Sequence, residues 1–343
     1  MENSKIERDI EREEQKNKWN RVHTRLSTQF KDTAEKILNA LKAVQFTPSH
    51  ECIEPNDSLI KKIFALDDAA FSKALRGKKF AVKGKSKTQK KPAVFSKATI
   101  SNVLGYENES PLDEFDRAVL GVIISECLFG NTVMTTNTIY RALIGKVGQA
   151  DAGIYPKKNQ EAAIINSILK LMSKLVNLKY LAETMKELKY TDKDGNEFVF
   201  EWTLLLPVSV GYAKVNGQES SVIFFKGNSP LFDIADAKNQ VIRYPHELLN
   251  VPNQNNTPLV ISLKKYVMRR ICEIKLHKQL KPTITFEDVF TKCRVDNTTN
   301  REIIRRYREY ILRFFEHLKE QNFITNFEVV KRGNSIHGIK FEW

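Results

Sequence analysis

The chain has 343 residues, 41% of them hydrophobic, which is enough for about two globular domains with cores of their own. It carries 55 Lys and Arg against 41 Asp and Glu, a formal net charge of +14, and a surface of that sign meets polyanions, nucleic acid ahead of an anionic membrane. No run approaches the ~20 apolar residues of a membrane-spanning helix, the charged opening MENSKIERDIEREEQKNKW lacks the apolar centre of a secretory signal, and Cys52, Cys127, Cys272 and Cys293 lie too far apart for a disulfide framework or a zinc site.

Residues 1–45 read as a long amphipathic helix. Trp19, Val22, Leu26, Phe30, Ala34, Ile37, Leu41 and Val44 recur at steps of three or four and share one face. That stripe fits a coiled-coil seam between two copies or packing on the chain's own core, and both stay open. Residues 46–108 read as a linker and a basic hairpin or loop. FTPSHECIEPND breaks the helical period, and a short helix over 58–75 follows. Between Lys73 and Pro92 stand nine cations and no acid. The tract Lys83, Lys85, Lys87, Lys90 and Lys91 is expected to contact phosphates rather than only to solvate a loop tip. Gly84-Lys85-Ser86 imitates the end of a phosphate-binding loop, but Lys79 occupies the place of the required glycine.

Residues 109–250 form the next expected unit. Ser110 and Pro111 are placed to open a helix with the stripe Leu112, Phe115, Val119, Val122 and Ile123. Gly130-Asn131 stops it, Thr135 or Thr136 caps the shorter TNTIYRALIG, and a longer helix runs from about Lys158 to Val176. Its expected buried face is Ile165, Ile168, Met172 and Leu175. Its free face is then Lys157, Lys158, Asn159, Gln160, Asn166, Lys170 and Lys174. A hairpin turning at Asp194-Gly195 follows, and a second turns at Asn216-Gly217 within a segment, 208–250, that joins the halves.

Residues 256–343 repeat the order. Thr257-Pro258 opens a helix with Val260, Leu263, Val267, Ile271 and Ile274 on one side. Thr285 with Asp288, and Thr299 with Glu302, have the spacing of capping boxes. The last helix buries Ile304, Tyr307, Ile311, Phe315 and Leu318. Arg301, Arg305 and Arg308 share another face, flanked by Arg306 and Arg313. A final hairpin turns at Gly333-Asn334 with Lys331 and Arg332 at its tip.

Helix, helix, helix, hairpin is the order of a winged helix. The expected fold is therefore α+β and helix-rich: two tandem winged-helix domains (helix-turn-helix plus β-hairpin wing) with an N-terminal helical extension. The major groove admits one α-helix, and Lys, Arg, Asn and Gln read base edges. The order of elements over 111–343, with a basic third helix in each half and a basic second wing, resembles replication initiators of bacterial plasmids that bind repeated origin sequences. FDRAVLGVIISECLFGNTVMTTNTIYRALIGK resembles a segment of proteins from plasmids and integrative elements. The 1–92 extension departs from a minimal initiator. The resemblance implies that the 157–174 and 301–313 helices enter major grooves while Lys331 and Arg332 touch backbone or minor groove. It also implies a bacterial, cytoplasmic protein, nucleoid-associated when bound, whose partners are double-stranded DNA and host replication proteins; a second copy is a further partner if the N-terminal stripe is a coiled-coil seam.

No enzyme chemistry is expected. His23, His50, His246, His277, His317 and His337 form no His-x-His pair of a nicking initiator, and no HExxH or GxSxG occurs. Asp233 and Asp236 read as a solvated helix side, and His50 with Cys52 lacks further ligands, so no metal or cofactor is expected. Two other functions fit the same parts: a transcriptional regulator of a mobile element, and a scaffold whose winged helices bind proteins. Two reading units in one chain favour a long, non-palindromic site over a regulator's two-fold operator.

Overall fold

The computed structural model describes residues 31–32, 34–35, 48–56, 60–61, 64, 100–102, 112–177, 189–191, 197–199, 202–215, 218–227, 229, 232, 235–236, 239–277, 279–295, 300–333 and 335–343. Of the long N-terminal helix read from sequence, Lys31, Asp32, Ala34 and Glu35 are helical and the rest lies outside the described residues. The tract Lys83, Lys85, Lys87, Lys90 and Lys91 lies wholly outside them.

The protein is α+β, with six α-helices described from end to end and small antiparallel sheets among the described residues. Two units repeat one order. In the first, helix α1 (Glu114–Leu128) leads through strand β3 (Val133–Thr135) into α2 (Thr136–Leu143) and then α3 (Lys158–Met172). In the second, α4 (Pro258–Leu276) leads through β11 (Thr283–Thr285) into α5 (Phe286–Lys292) and α6 (Arg301–Glu320). Each short strand sits at the edge of a three-stranded sheet. The second sheet has the order β11-β13-β12, where β12 (Asn326–Arg332) and β13 (Ser335–Glu342) form the last hairpin. The first has the matching order β3-β9-β8, with β8 (Val208–Val215) and β9 (Gln218–Phe225) as its hairpin.

Caps set the helix starts. The first helix begins three residues later than the Ser110-Pro111 reading. Asp113 accepts from the Asp116 amide while Asp116 accepts from the Asp113 amide, both at 2.9 Å, so two orphan donors are satisfied by side chains. Thr135, Thr257 and Thr285 cap α2, α4 and α5 through their hydroxyls. At α6 the cap is Asn300, whose side chain accepts from the Glu302 amide at 2.9 Å. Leu112, Phe115, Val119, Val122 and Ile123 enter the first core, and Val260, Leu263, Val267, Ile271 and Ile274 are all buried on α4.

The segment read as a linker contains a buried strand. β1 (Glu51–Pro55) pairs antiparallel with β10 (Val241–Pro245) in the register Cys52↔Tyr244 and Glu54↔Ile242. Its alternate side chains serve both units: Ile53 packs in the first core and Cys52 in the second. The segment escapes pattern reading because Glu54, a carboxylate, points inward. It is 1% exposed.

Residues 174–204 also differ from a single hairpin. β4 (Lys174–Asn177) is the centre of a sheet with β2 (Ile100–Asn102) and β7 (Trp202–Leu204). β5 (Lys189–Thr191) and β6 (Glu197–Val199) pair beyond it, on either side of Asp194-Gly195. Residues 208–225, read as part of a join between halves, instead complete the first unit's sheet.

A buried charge cluster joins the units where α1 crosses α4. Lys265 donates to Glu54 Oε1 (3.0 Å), Tyr244 Oη (2.9 Å) and Cys52 Sγ (3.1 Å), which occupies all three ammonium protons. Tyr244 donates to Glu54 at 2.7 Å. Arg269 grips both oxygens of Glu114 and lies 3.5 Å from Glu54 Oε2. Burial works against charge on Glu54, but Lys265 and Arg269 outweigh it and hold the carboxyl down at about 2. Gly121 on α1 makes room for this carboxylate: a Cβ there would stand 2.7 Å from Glu54 Cγ. Arg294 closes the junction from the other side by donating to the Leu112 carbonyl at 2.7 Å.

Candidate nucleic-acid interface

The second half of α6 is anchored by Ile311, Phe314, Phe315 and Leu318, with Phe315 packed against Phe327 and Phe341 of the final hairpin. Its first half projects. Ile304 and Tyr307 are only partly buried, and Arg301, Arg305, Arg306 and Arg313 are exposed. Arg305 bonds Glu302 at 2.7 Å and lies 3.9 Å from Glu309. Such exposed pairs are weak, so they leave the guanidinium free to exchange partners. Arg308 departs from the sequence reading. It is half-buried, its guanidinium 5.7 Å over the Phe286 ring, so it packs α6 on α5 instead of standing free with Arg301 and Arg305.

The β12–β13 hairpin turns at Gly333, whose φ of +63° is the left-handed region that suits glycine. Lys331 and Arg332 are exposed beside it, next to a register shift at Val330/Lys331 that twists the tip. Four exposed arginines on one helix and two cations on the adjoining hairpin tip therefore belong to one unit.

In the first unit the rotation of α3 corrects its expected face. The helix buries Gln160, Ile164, Ser167, Ile168 and Leu171, while Ile165 and Met172 are only partly covered. The inward stripe thus runs one position earlier than the Ile165–Leu175 reading. Lys157, Lys158, Asn159 and Asn166 remain exposed. Gln160 does not: it accepts from the Lys157 amide at 2.7 Å and donates to the Asn256 carbonyl at 2.6 Å, tying the units together. Lys170 bonds Asp116 at 2.7 Å and has Asp113 at 3.7 Å. Lys174 lies beyond the helix, on β4, and is 4% exposed. Gln160 and Lys170 are drawn inward by the one-position shift of α3, and Lys174 is covered in its place on β4.

Sequence reasoning found the β8–β9 hairpin but not its place in the first unit's sheet. On β8, Tyr212 is 76% exposed and Lys214 is exposed too. Asn216-Gly217 marked that turn as Gly333-Asn334 marked the last one. The missing step was to give 208–225 the same place in the order. Tyr155, 66% exposed, stands just before Lys157 and Lys158 at the start of α3.

Among the described residues no group of three His, Cys, Asp or Glu side chains is placed to hold a metal ion, and no helix is long and apolar enough to cross a membrane. Cys52, Cys272 and Cys293 are buried, and burial raises all three thiols.

No protein-family model matches the chain, and no curated protein matches it. Among solved structures it is similar to the Pi initiator protein, crystallised in complex with iteron DNA. The identity is 13% and the TM-score 0.34, over 66% of this chain and 93% of that one. A likeness at that level carries neither fold nor function across.

Proposed function

We propose that each unit is a winged helix, that the chain binds double-stranded DNA in a sequence-specific way, and that it initiates replication at a plasmid or mobile-element origin. The observation that carries the binding reading is the exposed set Arg301, Arg305, Arg306 and Arg313 on α6, beside Lys331 and Arg332 on the hairpin that packs against it. The major groove is about 12 Å wide and takes one helix, and arginine's fork matches guanine O6 and N7. A hairpin flanking such a helix meets the sugar-phosphate backbone. In the first unit Lys157, Lys158, Asn159 and Asn166 on α3, with the β8–β9 hairpin, would take the equivalent place. The origin role rests on the resemblance in element order to plasmid initiators. The proposal assigns the chain no catalysis and no cofactor, and it places the protein in the bacterial cytoplasm.

The test is selection of bound duplexes from a randomised pool by the full chain, followed by titration at several salt concentrations. The expected result is one enriched, non-palindromic site in two parts. Replacing Lys85, Lys87, Lys90 and Lys91 with Ala should flatten the log–log salt slope by up to ~0.9 per lost phosphate contact without changing the enriched sequence. A pool that stays random through selection overturns the reading.

A further inference from the structure

Between the units, at the N-terminal end of α1 and along α4, lies a cavity of about 300 Å³. That is the lower end of the range for small-molecule sites. Five cationic and three carboxylate side chains line it. Most of the charges are committed to each other: Arg269 to Glu114 and Glu54, Lys61 and Arg270 to Glu273.

Arg117 differs. Its guanidinium lies 5.6 Å over the Phe64 ring, and its hydrogen bond to Asn56 Oδ1 is long, at 3.4 Å. Among the described residues no carboxylate comes within ion-pair distance of it. Burial, with Arg269 beside it, pushes it down to about 10 against the pull of Glu114, Glu54 and Glu273. An anion entering the cavity would give the guanidinium a direct partner.

We infer that this cleft binds a small organic phosphate of nucleoside monophosphate size, with Arg117 as its anion anchor. The guanidinium presents a planar fork of donors that fits phosphate oxygens. The rings of Phe64 and Tyr266, each with an arginine at 5.6 Å, stand among the walls of the same cavity. A base can lie on those walls. Inorganic phosphate would leave them uncovered, and a nucleoside without phosphate would leave Arg117 unpaired. The site lies away from the exposed arginines of α6 and does not depend on the DNA reading.

The experiment is calorimetric titration of the full chain with AMP, adenosine and inorganic phosphate, together with hydrogen exchange on the AMP complex. AMP is expected to bind one to one, at least about tenfold tighter than adenosine or phosphate. Arg117→Gln, checked for an unchanged unfolding midpoint, should weaken AMP by about tenfold or more. Hydrogen exchange on the unaltered chain should show protection over 112–119 and 266–273, which serves as the test even if the variant does not fold. Absence of AMP binding at millimolar concentration overturns the proposal, as does protection confined to 301–313. Equal affinity for AMP and phosphate overturns the assignment of an organic ligand.

Discussion

Glu54 on β1 and Lys265 on α4 form an ion pair at 3.0 Å with side chains no more than 2% exposed, on two segments 211 residues apart in sequence. Burying two charges is costly, and their attraction offsets the cost only while both are present with their hydrogen bonds intact. Lys265→Met should therefore destabilise the protein by about 3–5 kcal/mol, because Glu54 is left charged and under-paired. The double change Glu54→Leu with Lys265→Met should cost less than the sum of the two single changes. Urea unfolding of the four proteins in this cycle checks both statements, and additive costs would mean that the pair is not coupled.

The same junction sets the response to acid. His246 is fully buried, with Nδ1 2.8 Å from the Ser49 carbonyl oxygen. Burial and the nearby Lys265 push it from 6.5 down to about 3, so it is neutral in the fold. The unfolded chain takes up this proton below its ordinary pKa, so native stability falls as pH drops from 6.5 toward 3. Glu54 adds a contribution that is present above 4.5 and lost as pH falls toward 2. Asp116 works the other way. Burial and Asp113 push it up to about 6, so it costs stability as pH rises from 3.8 through 6. Comparison with His246→Gln isolates the histidine. Between pH 7 and 5 the unfolding midpoint of the unaltered chain should decline more steeply than that of the variant. Parallel curves would show that His246 is already protonated in the fold.

The helical stripes of α1 and α4 and the hydroxyl caps of α2, α4 and α5 were readable because apolar spacing and caps are local signals. The junction was not. Glu54, Lys265 and Arg269 look like surface charges in any window, and they become interior only when β1 pairs with β10 and α1 crosses α4. The β8–β9 hairpin was visible at Asn216-Gly217, but its pairing with β3 joins residues that no local rule connects. The inward face of α3 was misread by one position because Ile164, Ile165 and Ile168 support two nearly equal stripes. Contact with Asn256 of the other unit accompanies the one that puts Gln160 inside.

That correction can be tested. Gln160→Ala removes a bond that spans the units, and Lys170→Met strips Asp116 of its cation. Each should lower stability by about 1–3 kcal/mol, the cost of leaving a buried polar group without its partner. Neither should change base preference. Lys158→Ala and Asn159→Ala, both exposed at the start of α3, should behave in the opposite way, with stability nearly unchanged and affinity for specific duplexes reduced. Thermal unfolding and duplex titration on the four variants separate the two groups. A changed base preference in Gln160→Ala would return that residue to the DNA face.

The arginines of α6 divide by the same criterion. Arg301, Arg306 and Arg313 are exposed, and Arg305 is held only by surface pairs with Glu302 and Glu309. A pair of that kind competes poorly with a guanine or a phosphate. Arg305→Ala is therefore expected to weaken binding to the selected duplex by about tenfold or more and to relax preference at one or two base positions. Glu302→Gln, which releases Arg305, should raise affinity for all sequences. Arg332→Ala, at the hairpin tip, should weaken binding without shifting the preferred sequence. Arg308→Ala should behave as a packing variant. Loss of the contact with Phe286 costs about 0.5–1 kcal/mol of stability, and base preference should stay as it was. Titrations on selected and scrambled duplexes at one fixed salt concentration distinguish these patterns. If Arg305→Ala binds both duplexes as the unaltered chain does, the Glu302–Arg305–Glu309 row serves only to solubilise the helix, and the DNA-reading role of α6 is lost.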